Sequence, residues 1–270
     1  MSTVRVTFYL GQAGLPAWLI KGVHHQVRGF KGYAELIKVQ TLQRVNVQKY
    51  LSALTFAFQP FDLCQIVLTG EHAASYAAIL RIYLHKDCFL LDKRITPTSQ
   101  DTQHLHLSHF EFHHVTIQKQ FDAFIRLYRL MHPSENESAA EKAYILQQVA
   151  KISSIENYKV IAEQLNRREQ SSSTGMKGGI ALPHIMTEYV NQPQLICLTS
   201  NNPIDWQSSH GPVTHIIALL LPKESSKNTM YAVRHLAVSL LSLEVNQFVS
   251  EHHTSNELHA ILTCLMMPKV

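Results

Sequence analysis

Arg168-Glu169-Gln170-Ser171-Ser172-Ser173-Thr174-Gly175-Met176-Lys177-Gly178-Gly179-Ile180-Ala181-Leu182-Pro183-His184 is the stretch on which the reading of the 270-residue chain turns. It combines a cation, a run of hydroxyls, a glycine-bearing backbone and an imidazole. A histidine that carries a phosphoryl group must offer one neutral ring nitrogen as nucleophile while a hydrogen bond to the other selects the tautomer. Pro183 restricts the backbone just before His184. Gly175, Gly178 and Gly179 permit close backbone approach to an anion, and Arg168, Ser173 and Thr174 are donors suited to phosphate oxygens.

Upstream of this stretch, Ser138 and Glu141 have capping-box spacing ahead of a stripe of Ile145, Val149 and Ile152, and a second helix carries Tyr158, Ile161 and Leu165. Downstream, strands are expected over 195–199 and 213–221, then a helix with Val233, Leu236, Ala237, Leu240 and Leu241 on one face. The carboxy-terminal half therefore reads as an α/β domain of its own. At the amino terminus, Val4, Val6, Phe8 and Leu10 alternate as in a half-buried strand, and Leu19, Ile20, Val23 and Val27 recur at helical spacing. Extended segments over 34–39 and 45–47, a short helix over 49–56, a strand at Cys64, Ile66 and Leu68 and a helix face from Ala73 to Leu84 complete the first 92 residues. That order predicts an open-faced sandwich with its helices on one side of the sheet. Residues 93–118 turn polar and are the expected linker to a second domain at 119–270.

Composition narrows the classes. Apolar residues make up 46% and charged residues 16%, too hydrophobic for a disordered chain. The net charge of +4 has no basic block behind it, so no nucleic-acid partner is expected. No apolar run approaches the roughly 18 residues of a membrane helix, and the first residues lack a signal peptide's apolar core, which leads to a cytoplasmic expectation. The four cysteines are far apart and read as reduced buried thiols. Among the 17 histidines, His109 and His113 have an i, i+4 spacing, with His104, His106 and His114 nearby, but no carboxylate or cysteine pattern completes a metal site. No metal or other cofactor is expected.

Arg-Glu, then Ser-Thr-Gly, then Gly-Ile-Ala-Leu-Pro-His resembles the active-site signature of enzyme IIA of the bacterial sugar phosphotransferase system, of the mannitol/fructose and nitrogen-regulatory type. Pro203-Ile204-Asp205-Trp206, Gly211-Pro212-Val213 and His235-Leu236 resemble later landmarks of that family. The resemblance implies that His184 is the phosphorylated residue, that Arg168 stabilises the phosphate, that His235 lies beside His184, and that Thr174, with Ser173, contacts the phosphate. One departure is Ile185 after Pro-His, where the family usually has glycine; a branched side chain there would narrow access for partners or alter the backbone geometry. The first 92 residues resemble HPr, the small phosphocarrier that feeds enzyme IIA, in element order and in Gly14-Leu15. Pro16 and Trp18 stand where HPr has its histidine and arginine, and Lys49 where some HPr proteins have a regulatory serine. Proline has no side-chain nucleophile, so this domain is expected to be HPr-like without HPr's chemistry.

Together these readings imply a protein that accepts phosphate from phospho-HPr on His184 and passes it to an enzyme IIB or displays it to a regulatory target. The alternative is a binding module of phosphotransferase partners that never exchanges phosphate. Trp18 and Trp206 are expected as packing anchors, with an interface role for Trp18 the second option.

Overall fold

In the computed structural model, residues 2–91, 110–117, 126–127, 130–131 and 137–267 are described. Val6, Phe8 and Leu10 alternate along β1 (Ser2–Leu10) and are buried on one side of it. The chain then turns through Gly14 at φ +64°, a conformation that glycine adopts without Cβ strain. Pro16 opens α1 (Ala17–Val27), its carbonyl accepting from the backbone N of Leu19 and Ile20 at 2.9 and 3.2 Å. A proline suits a helix start because its missing N–H would have no intrahelical partner there. There follow β2 (Gly32–Lys38), β3 (Gln43–Asn46), α2 (Tyr50–Leu54), β4 (Leu63–Gly70), α3 (Ala73–Leu84) and β5 (Cys88–Leu90). The strands form one antiparallel sheet in the order β3-β2-β4-β1-β5.

The apolar stripes of α1 and α3 meet one face of this sheet, where Leu19, Val23, Leu80 and Leu84 pack with Phe8, Ile66 and Leu68. Fully burying one such side chain contributes about 1.5–3 kcal/mol. The element order matches the sequence reading from β1 to α3, β5 is an additional edge strand, and the sheet is not open on its second face. Thr7, Tyr9, Ile37, Leu63 and Gln65 point that way and are buried, with Gln65 Nε2 donating to the Thr7 hydroxyl at 2.8 Å. Backbone contacts place Ala260–Leu265 in this first unit together with residues 2–91. Burial pushes the Tyr9 phenol up, and Cys264 adds to the shift.

The second unit holds the described residues from 110 to 259 with 266–267. Its elements are β6 (Glu111–Ile117), α4 (Glu137–Ser153), α5 (Tyr158–Ser171), β7 (Ile180–Ala181), β8 (His184–Thr187), β9 (Gln194–Ile204), β10 (Val213–Pro222), α6 (Lys227–Leu240) and α7 (Leu243–Ser250). A last helix, α8 (Ser255–Met266), begins in it. In the sheet, β6 is parallel to β9, β9 is antiparallel to β10, and both β7 and β8 run parallel to β10. Ile196, Leu198, Ile216, Ala218 and Leu220 face a cluster with Ile145, Val149, Ile161 and Leu165 of α4 and α5. His215, Ile217 and Leu219, which alternate with them, are buried too, so β10 reads as a continuous apolar run rather than an alternation.

Three features differ from the sequence reading. Residues 111–117, read as the end of the linker, are a strand, because Phe112-His113-His114-Val115-Thr116-Ile117 hides its pleat behind histidines; Phe112 stacks on His259 and His114 Nε2 lies 3.1 Å from the Thr199 hydroxyl. His113 and His114 are therefore strand neighbours on opposite faces, and helical spacing does not apply to His113. His104, His106, His109 and most of the linker lie outside the described residues. Ser138 lies inside α4 rather than ahead of it, and its hydroxyl donates to Asp205 Oδ2 at 2.6 Å, which with the Gln207 N–H holds the Asp205 carboxyl below its ordinary range.

Candidate functional site

The site begins in the last turns of α5. Tyr158, Ile161, Ala162, Leu165 and Glu169 lie at helical spacing on its inward side, and the last of these is a carboxylate where the pattern calls for an apolar residue. Arg168 is turned outward. Its Nη1 donates to the Ser172 carbonyl at 3.0 Å, and its Nη2 stands 3.4 Å from His184 Nε2.

His184 owes its place to a broken strand. β7 and β8 both pair with β10, His215 facing Ile180 and Leu219 facing His184, and Leu182-Pro183 interrupt them. The Pro183 carbonyl takes the Leu219 N–H at 2.9 Å, and the Leu182 carbonyl turns to His184, 2.9 Å from Nδ1. A carbonyl only accepts, so Nδ1 carries the proton and donates. Nε2 is then the nitrogen with the lone pair, and the side chain is exposed to solvent with a guanidinium beside that nitrogen. Neutral imidazole with a nucleophilic Nε2 next to a fixed cation is suited to hold a phosphoryl group.

Ser173 and Thr174, expected at the phosphate, donate inward instead. Thr174 is 8% exposed and gives its hydroxyl to Glu169 Oε1, while its N–H donates to Oε2 at 3.2 Å. The Ser173 hydroxyl donates to the Trp206 carbonyl at 3.4 Å. The glycines also serve the protein's own packing: a Cβ on Gly175 would lie 2.6 Å from Ser208 Cβ, and one on Gly178 (φ +104°) 2.5 Å from Asn246 Oδ1. Ile185 points into the core beside α5 and not over the ring, leaving Met186 exposed. His235 is half-buried on α6, and its side chain makes no hydrogen bond among the described residues, to His184 or to any other.

Sequence reasoning passed over Glu169, Lys142 and the bonding of Trp206. Glu169 Oε2 accepts from Lys142 Nζ at 2.8 Å and from Trp206 Nε1 at 3.2 Å; Lys142 also donates to the Trp206 carbonyl and stands 5.3 Å from its ring centroid. A signal existed: Lys142 stands three residues before Ile145 and seven before Val149, so two opposite charges sit on the inward stripes of adjacent helices. On the other face of the sheet, His215 Nε2 lies 2.7 Å from the His252 carbonyl and its ring 4.9 Å from that of His253. Burial, with His253, His252 and His114 adding, pushes His215 down to about 4. Among the described residues no group of three or more His, Cys, Asp or Glu is placed to hold a metal ion, and no helix is long and apolar enough to cross a membrane.

An inward-pinned helix end, an outward arginine and a strand-break histidine with a fixed tautomer come together on an α/β domain, and residues 134–264 match the family described as "Phosphoenolpyruvate-dependent sugar phosphotransferase system, EIIA 2". The carboxy-terminal half is thus an enzyme IIA domain of type 2, of the phosphoryl-carrier and regulator family. Among individual proteins, the chain is similar to the nitrogen regulatory protein of Pseudomonas aeruginosa, with 27% identity over 146 residues, 51% of this chain and 95% of that one. It is also similar to the fructose-specific EIIABC component of Bacillus subtilis, with 28% identity over 123 residues, 45% of this chain. It spans 19% of the length of that relative. A crystal structure of the nitrogen regulatory protein IIA-Ntr from Neisseria meningitidis aligns with 58% of this chain and 94% of its own, at 20% identity and a TM-score of 0.38. The family match leaves the residues before 134 unassigned.

Proposed function

We propose that the protein is a phosphoryl carrier of the phosphotransferase system that receives phosphate from phospho-HPr on His184 Nε2 and passes it to an enzyme IIB or displays it to a regulatory target. The observation that carries this reading is the pairing of His184 Nε2 with Arg168 Nη2 at 3.4 Å while Nδ1 is held by the Leu182 carbonyl. In the transfer, the P–N bond of the donor phosphohistidine breaks as the Nε2–P bond forms. Nδ1 keeps its proton, and Arg168 neutralises the charge on the equatorial oxygens. His235, on the half-buried side of α6, is the second donor to those oxygens. Ser173 and Thr174 enter as supports of the backbone behind Arg168. With Ile185 packed against the core, its branched side chain does not narrow the approach of partners to the ring.

The regulatory role is favoured over sugar uptake, because the nitrogen regulatory relative is matched over 95% of its length and the fructose component over 19%. The family's setting supports a cytoplasmic protein. The first unit is HPr-like in element order and lacks a nucleophile at its helix start, where Pro16 stands, so it serves recognition rather than transfer. Incubation with phosphoenolpyruvate, enzyme I and HPr, followed by intact mass at neutral or alkaline pH, tests the proposal. One acid-labile phosphate, absent from His184→Ala, is expected. No label, alongside an authentic enzyme IIA that takes it, would leave the non-exchanging binding module.

A further inference from the structure

Arg168 and Glu169 are consecutive on α5, so about 100° separates them around the helix and they face opposite surroundings. A carboxylate next to an arginine is an obvious competitor for its charge. Here it is withdrawn: Glu169 is 4% exposed, and its four hydrogen bonds come from Lys142 on α4, the Trp206 indole after β9, and the N–H and hydroxyl of Thr174. Two residues before Thr174 is Ser172, whose carbonyl holds Arg168 Nη1 at 3.0 Å. The loop is closed from its far side by Ser208, whose hydroxyl donates to the Gly175 carbonyl at 3.0 Å.

We infer that Glu169, neutralised by Lys142, is a positioning residue that fixes the 172–174 backbone and through it aims the Arg168 guanidinium at His184. This deepens the phosphoryl-carrier reading and rests on it. An apolar pair on the two inward stripes would fill the same space without the desolvation cost of burying two charges. What such a pair lacks is an acceptor for the Thr174 N–H and hydroxyl, and with it a defined place for the Ser172 carbonyl. Lys142 adds a second service, because a paired Glu169 does not draw Arg168 inward and the guanidinium charge stays available at Nε2.

Glu169→Ala strands Lys142 and tests folding more than positioning, so the informative variants are Thr174→Val, which keeps the shape and removes the hydroxyl, and Thr174→Ser, which keeps it. Labelling of the full chain by phospho-HPr is followed by intact mass in wild type, Thr174→Val, Thr174→Ser, Arg168→Ala and Arg168→Ala/Thr174→Val. Loss of one buried charge-assisted bond is expected to slow Thr174→Val about tenfold, Thr174→Ser about twofold or less, and to add about twofold or less on Arg168→Ala. Wild-type labelling by Thr174→Val, or a full tenfold loss added on Arg168→Ala, overturns the inference. A wild type that takes no phosphate overturns the carrier reading instead. The positioning is then read from the side-chain ¹⁵N resonances of Arg168 and His184, which Thr174→Val must shift and Thr174→Ser must leave in place.

Discussion

Each unit bends its chain at a proline, and the two bends carry opposite chemistry. In the first, Pro16 ends the turn after β1, starts α1 and is followed by Trp18, 53% exposed; no group there titrates or attacks an electrophile. In the second, Pro183 interrupts a strand beside β10 and is followed by His184, whose ring nitrogens are told apart by the Leu182 carbonyl and Arg168. Both units are helices packed on a five-stranded sheet. The difference teaches that such a layered core fixes where a bend falls, while reactivity comes from the few side chains the bend presents.

The sharpest way to break the comparison is to exchange the histidines under test. His184→Ala is expected to abolish labelling by phospho-HPr, whereas His24→Ala and His25→Ala in α1 leave the single phosphate in place; a label that moves to the first unit would end the contrast. Next in size is Arg168→Ala. Removing the guanidinium beside Nε2 should slow transfer on the order of a hundredfold, measured as the initial rate of mass gain, with the folded state retained by circular dichroism.

How far the chain announces this depends on what each element packs against. The first unit was legible because its strands alternate and its helices show clean stripes, as in Val4 to Leu10 and Leu19 to Val27. β5 escaped notice because three residues, Cys88 to Leu90, give too short a pattern, and β6 because histidines occupy pleat positions. The sheet's buried second face was invisible because Thr7, Gln65 and Tyr9 read as solvent-facing. His184 and Arg168 were legible in the signature they share with a family. Glu169 and Lys142 were not, since a buried ion pair between two helices has no local signal, only a misfit on each stripe.

Acid should separate the units by a smaller margin. His215, 1% exposed, is pushed down to about 4 in the folded protein against about 6.5 unfolded. The unfolded chain therefore binds the proton first on acidification. The stability associated with neutral His215 is complete above about pH 6.5 and falls toward pH 4, on the order of 3 kcal/mol in all. Urea unfolding at pH 7 and pH 5, in wild type and His215→Gln, checks this; an equal pH dependence in the two proteins would locate the effect elsewhere. The smallest expected effect is at Trp18: Trp18→Ala should change stability by about 0.5 kcal/mol or less, since its exposed ring buries little. A slower labelling rate in that variant, at unchanged stability, would give the first unit a docking role.

The sequence has two tryptophans, one in each unit. Trp206 is fully buried, its indole N–H on Glu169 and the Lys142 ammonium over its ring, while Trp18 faces water. Their fluorescence should therefore separate by wavelength, blue for Trp206 and red for Trp18. The blue component comes from the ring bonded to the carboxylate behind Arg168. The protein thus carries an intrinsic optical probe behind the His184–Arg168 pair, and phosphate arriving at that pair is expected to register in its emission without any added label.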